Sequence, residues 1–216
     1  MKNRFFFIFL ILFMISLTVP LIAGENKDII LPNRPSIANV DLVTALEKRK
    51  TTREYAARKL SVEDLSAILW AANGVNRPDG KRTSPSAHGK QYIDIYVVTD
   101  TGTYLYDPPD YKLKFISDFN SKEKLSAQGH VAKASHVFIL VCNVDKLPGG
   151  SSGKETRSWA HATAGHIAQN VYLMSAAKGI GTCMVAGIKE QNIREALGGS
   201  ENLVPLYIMP LGYLKE

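Results

Sequence analysis

The run Ile93-Asp94-Ile95-Tyr96-Val97-Val98-Thr99, followed by Asp100-Thr101-Gly102 and then Thr103-Tyr104-Leu105-Tyr106, decides the fold class of this chain. Its outer segments are β-branched and aromatic, and a glycine-containing turn separates them, so it reads as a β-hairpin. Lys112 to Ile116 extends the hairpin into a meander. Val137 to Val144 is a continuous apolar run with the character of a strand buried on both faces. Thr182 to Ala186 reads as a further strand, and Leu203 to Tyr213 holds the last one.

Helical patterns are interspersed with these strands. Asp41 to Arg49 is a short helix with apolar Leu42, Val43 and Leu46. Ser61-Val62-Glu63-Asp64 resembles a capping box, and the helix it opens carries Leu65, Ile68, Leu69 and Ala72 at i, i+3, i+4 and i+7. Asn73-Gly74 closes it. Ser121 to Gln128 is a weaker helical pattern, and Lys189 to Leu197 another short one. The longest, Ser158 to Lys178, is rich in Ala and includes Gly165, which suits a central helix or a subunit interface; Gly179-Ile180-Gly181 stops it. Strands and helices alternate without βαβ regularity, and neither a repeat nor a second domain is visible. The expectation is an α+β sandwich, a central, mostly antiparallel sheet packed by helices.

A length of 216 residues, 45% hydrophobic and 21% charged, supports one ordinary core. Residues 1–23 differ from the rest. Lys2 and Arg4 precede an apolar run from Phe5 to Leu17, and small residues follow it, the pattern of a secretory signal peptide. Residues 5–23 are also just long enough for an uncleaved membrane anchor. Either way the expectation is an exported protein, periplasmic or extracellular, or one membrane-anchored through its N-terminus. Residues 24–40, with Pro32 and Pro35, read as an extended lead-in, and 41–216 as the folded domain. Without Lys2 and Arg4 the formal charge drops from +6 to +4, a mild excess that fits an anionic small ligand or an anionic membrane surface. The cations are scattered outside one cluster, so nucleic acid is not an expected partner. Cys142 and Cys183 both sit in apolar runs and read as buried thiols.

That one cluster is Lys48-Arg49-Lys50-Thr51-Thr52-Arg53, which closes the first helix. Four cations, two hydroxyls and free backbone amides suit a phosphate dianion. Later comes Thr83-Ser84-Pro85-Ser86-Ala87-His88-Gly89-Lys90-Gln91, small and polar, where backbone can approach a flat ligand. Together the two segments suggest a planar, phosphate-bearing cofactor. His161 and His166 are spaced i, i+5 and do not share a helix face, so metal ligation is not expected. Trp70 and Trp159 read as core, and Tyr104, Tyr106 and Tyr111 as strand packing.

The order and spacing of Arg49-Lys50-Thr51-Thr52-Arg53-Glu54-Tyr55, Leu69-Trp70-Ala71-Ala72-Asn73-Gly74-Val75, Arg82-Thr83-Ser84-Pro85-Ser86, Gly165-His166-Ile167-Ala168-Gln169-Asn170 and Gly179-Ile180-Gly181-Thr182-Cys183 resemble the flavin-dependent nitroreductase superfamily. The branch that looks most similar contains oxidases of azoline rings in peptides. The resemblance implies a homodimer with two FMN molecules at its interface. It also implies ping-pong electron transfer from a reduced nicotinamide cofactor to a small organic acceptor. Carried over by position, Arg49, Lys50 and Thr51 would hold the phosphate, and Arg53 would reach the pyrimidine edge. Pro85, Ser86, Ala87 and Gln91 would lie against the cofactor of the other subunit. Val185, Ala186 and Gly187 would face the isoalloxazine, with a backbone amide toward N5. No residue is assigned as a general base, because hydride transfer requires orientation and electrostatics rather than one.

Three positions depart from the family pattern. Gly89 stands where many members have a flavin-bonding asparagine, Ala186 where an acid is common, and the chain ends at Leu214-Lys215-Glu216 with little basic tail. These leave open an exported, non-catalytic dimer that binds a ligand, or an azoline-type dehydrogenase acting on peptides.

Overall fold

The computed structural model describes residues 28–32, 40–150 and 153–215. The signal or anchor reading of 1–23 lies outside them, as does most of the lead-in. Seven strands form one sheet in the order β1-β4-β3-β2-β5-β7-β6, every neighbouring pair antiparallel. They are β1 (Ile29–Ile30), β2 (Ile93–Val98), β3 (Thr103–Asp107), β4 (Lys112–Ser117), β5 (His136–Asn143), β6 (Ile180–Thr182) and β7 (Leu203–Tyr213). Among the described residues there are four α-helices, α1 (Leu42–Lys48), α2 (Val62–Asn73), α3 (Lys154–Ala177) and α4 (Glu190–Ala196), with α1 lying against α3. This is the expected α+β architecture.

Side chains alternate across a strand, and the two central strands carry apolar residues on both faces. Ile93, Ile95 and Val97 of β2, with Phe138, Leu140 and Cys142 of β5, meet α2 and α3. Tyr96, Val98, Val137, Ile139 and Val141 point the other way, toward Tyr55, Leu125, Val131 and Ile193. Cys142 and Cys183 belong to opposite faces of the sheet and are free, buried thiols.

The helix ends follow local chemistry. Asp41 caps α1 by accepting from the Thr44 N–H at 3.0 Å, and Ser61 caps α2 by accepting from the Asp64 N–H at 3.1 Å. The Asp64 carboxylate instead takes the Tyr213 hydroxyl at 2.5 Å and Lys178 at 2.9 Å, which ties α2 to β7 and to the end of α3. Gly74 ends α2 without a left-handed turn, at φ −73°. Its need for glycine is steric, since a Cβ there would lie 2.5 Å from the Trp70 ring.

Four expectations require correction. The strand expected over Thr182–Ala186 is Ile180–Thr182. Continuing its register would set Cys183 against Pro210, which has no N–H to donate, and pairing returns only as the single bridge Val185↔Ile208. The helix expected over Ser121–Gln128 is a single 3₁₀ turn, Lys122–Lys124. There the Ser126 hydroxyl binds the Gly187 carbonyl at 2.5 Å and accepts from the Gln128 N–H at 3.2 Å, contacts that compete with helix. The long helix begins four residues early, at Lys154. Tyr111 lies in the β3–β4 turn with φ 47°, outside either strand.

Candidate functional site

Beyond α1 the chain leaves helical geometry at Arg49 (φ −60°, ψ 117°) and runs extended along the β6–β7 margin. Two backbone bonds hold it there, from Thr52 N–H to the Thr182 carbonyl and from Ala56 N–H to the Tyr213 carbonyl, each 2.9 Å. Among the described residues the N–H groups of Lys50, Thr51 and Arg53 have no partner, and the Thr51 and Arg53 side chains are exposed. A row of unspent donors beside fixed cations is what a phosphate ester requires.

Tyr172 of α3 joins two of the expected site segments. The Arg49 guanidinium lies 5.4 Å from its ring centroid, and its hydroxyl accepts from the Met184 N–H at 2.7 Å. The Val185–Gly187 turn is thereby brought beside the 49–53 segment. Val185 is buried, Ala186 and Gly187 are exposed, and among the described residues neither the Ala186 nor the Gly187 N–H is hydrogen-bonded. A cavity of about 470 Å³ opens alongside, lined by Lys48, Lys50, Thr52, Tyr172, Thr182 and Leu214. The Thr182 hydroxyl is buried there with no partner among the described residues. Lys50 thus lines this cavity with Thr52, whereas Arg53 sits by Tyr55, Cys183 and His130.

That second group comes from three distant parts of the chain. The Tyr55 hydroxyl donates to the Thr52 carbonyl at 3.0 Å, and His130 Nε2 is 3.3 Å from Cys183 Sγ. Burial, and then the Arg53 charge, hold the His130 imidazole below its usual pKa, so it stays neutral near pH 7. Burial raises the Cys183 thiol, which marks a packed rather than a reactive sulfur. Gln128 reaches Gly187, where a Cβ would lie 3.3 Å from its amide nitrogen. Sequence reasoning had assigned no role to Tyr172, Gln128, His130 or Thr182. No local spacing marks them, because their contacts bridge residues far apart in the chain.

Pro85, Ser86, Ala87 and Gln91 stand elsewhere on the subunit. The Ser84 hydroxyl donates to the Ala72 carbonyl at 2.6 Å and accepts from Asn170 at 3.1 Å. The Ala87 N–H donates to the Tyr92 hydroxyl at 3.1 Å, itself 2.8 Å from Thr163 of α3. His88 and Gly89 both take positive φ, 55° and 65°, and the His88 ring lies 5.2 Å from Trp159. Among the described residues no hydrogen bond or ion pair connects 85–91 with 49–53 in one subunit. His161 is exposed and pairs with the Tyr207 hydroxyl at 3.0 Å, and His166 is exposed as well.

The chain matches the family model described as the nitroreductase family over residues 46–213. A Methanocaldococcus jannaschii protein bearing the nitroreductase name is 35% identical over 199 residues, covering 88% of this chain and 98% of the relative. A crystal structure of a nitroreductase-named protein from Ralstonia eutropha JMP134 superposes with TM-score 0.83 at 29% identity, covering 90% of this chain and 93% of that one. An FMN-dependent nitroreductase from Clostridium difficile R20291 shares the fold at 19% identity and TM-score 0.57, covering 81% and 88% of the two chains.

Proposed function

From the premise that this chain belongs to the nitroreductase family, we propose that it is an FMN-dependent oxidoreductase working as a homodimer, with reduced nicotinamide as donor and a small organic molecule as acceptor. The observation that carries the reading is the junction at Tyr172, where a cation-rich run of unspent N–H donors meets a turn with two further free N–H groups. The donor set fits FMN: cations and amides for the phosphate, a guanidinium at Arg53, and exposed backbone at Ala186 and Gly187. Bound FMN would supply two-electron chemistry, taking a hydride equivalent from the donor and giving it to the acceptor in separate half-reactions.

The residues' own tasks follow from their chemistry. Arg49 and Thr51, with the N–H groups of Lys50 and Thr51, would hold the phosphate. Arg53 would hold a fixed positive charge where negative charge grows on reduction, so the energy gained rises as the reaction proceeds. The Ala186 and Gly187 N–H groups would orient the ring system. Neutral His130 beside Arg53 adds no competing positive charge. Pro85, Ser86, Ala87 and Gln91 would complete the site of the partner subunit, which accounts for their separation from Arg49–Arg53 within one chain. Leu42, Val43 and Leu46 on α1 are 63%, 63% and 50% exposed in the single subunit, an apolar face that supports pairing.

Purified protein tests this directly. A yellow dimer that oxidises a reduced nicotinamide in the presence of a quinone or nitroaromatic supports the reading. A colourless protein that binds no added FMN overturns it. Export or anchoring through residues 5–23 is proposed from the apolar run Phe5 to Leu17. Cell fractionation with sequencing of the mature N-terminus decides between the two.

A further inference from the structure

Beside the hairpin, on the flank away from Arg49, the sheet contains a defect. The β2–β3 ladder ends at Tyr96↔Leu105, although each strand continues to pair with its outer neighbour, through Ile93↔Cys142 and Asp107↔Lys112. Continuing the β2–β3 register would set Asp94 directly opposite Asp107, and like charges so placed repel. Each acid turns instead to a lysine. Asp94 takes Lys146 at 2.7 and 2.8 Å, and Asp107 takes Lys114. The parted strands leave a cavity of about 260 Å³, which Arg82 lines from the side.

Arg82 is under-used as it stands. None of the ion pairs among the described residues includes it. Its Nη1–H makes one long bond to the Asn73 carbonyl at 3.4 Å, and its buried Nε has no partner. Burial holds its pKa below the usual value even though Asp107 and Asp94 act the other way. A half-desolvated guanidinium with no direct ion pair is costly, and an anion seated on it would offset that cost.

We infer that this slot binds a small carboxylate, seated on the Arg82 guanidinium where β2 and β3 part. The planar fork of arginine matches a carboxylate. Arg82, Lys114 and Lys146 face Asp94 and Asp107, so the lining carries one excess positive charge, suited to a monoanion. A phosphate dianion would meet two nearby carboxylates and is disfavoured. The volume suits a small molecule rather than a drug-sized one.

The test is calorimetric titration of the full-length, flavin-free protein with propionate, propionamide and inorganic phosphate. Propionate should bind saturably, and propionamide and phosphate at least about tenfold more weakly, the scale of one charge-assisted contact. Arg82→Lys keeps the charge but loses the fork and should weaken propionate about tenfold. Asp107→Asn leaves Arg82 in place, removes a repelling charge and should tighten propionate, so it decides the matter if Arg82→Lys does not fold. Unsaturable propionate heats, equal binding of propionamide, or an Asp107→Asn variant with unchanged affinity would each overturn the inference. The titrated protein lacks flavin, so such a failure leaves the redox proposal standing.

Discussion

Gly181 and Gly212 stand opposite each other across the β6–β7 ladder, and the space where each lacks a side chain is filled by the segment leaving α1. A Cβ on Gly181 would lie 2.6 Å from Thr52 Cγ2, and one on Gly212 would lie 2.7 Å from Tyr55 Cβ. Thr52 and Tyr55 bracket Arg53, so these two glycines set how closely that cation lies against the sheet.

Gly212→Ala should therefore push Tyr55 off the strand. Overpacking of this kind costs about 1–3 kcal/mol, and for a chain of this length the melting temperature should drop by several degrees. FMN retention should fall with it. An unchanged melting curve together with full flavin content would mean that the segment shifts freely.

Arg53→Ala should weaken FMN binding by about tenfold to a hundredfold, the range for one charge-assisted contact. Arg53→Lys should recover part of the loss. Fluorescence quenching during FMN titration measures both variants, and equal affinity across wild type and Arg53→Ala would remove Arg53 from the site.

Acid stability should report His136. Burial, aided by Lys122, depresses its pKa to about 4, below the unfolded value near 6.5. The unfolded chain then binds more protons between these values, so stability is complete above about pH 6.5 and is lost as pH falls toward 4. The full span corresponds to about 3 kcal/mol. His136→Asn should flatten denaturant midpoints over that window. If the mutant keeps the wild-type slope, another group carries the effect.

Leu42→Glu with Leu46→Glu places two charges on the exposed α1 face, one helical turn apart. Neither side chain is in the core, so the subunit should remain folded while the dimer separates and FMN is lost. Sedimentation velocity reads the outcome, and a dimer that persists would move the interface to a different face.

Much of this was legible in the chain itself. Leu203–Tyr213 and the cap at Ser61 are stated by local composition, and the structure places them as read. The excess length assigned to the Thr182 strand has one cause, Pro210, whose register depends on β7 and on no local signal. The Ser121–Gln128 segment misled for a similar reason, because Ser126 finds its partner at Gly187. In the candidate site, Arg49 to Arg53 could be named because they are contiguous and chemically unlike their surroundings. Tyr172 could not, since an aromatic inside an Ala-rich helix looks the same whether it fills a core or spans Arg49 and Met184.

Both margins of the sheet are short of free backbone. At one end stands the two-residue β1, and at the other the β6 carbonyl of Thr182 is already taken by Thr52. An exposed ladder is the usual template for fibrillar stacking, and among the described residues the two bordering strands are only two and three residues long. Pairing through α1, as proposed, would then favour a closed pair over open-ended polymer growth.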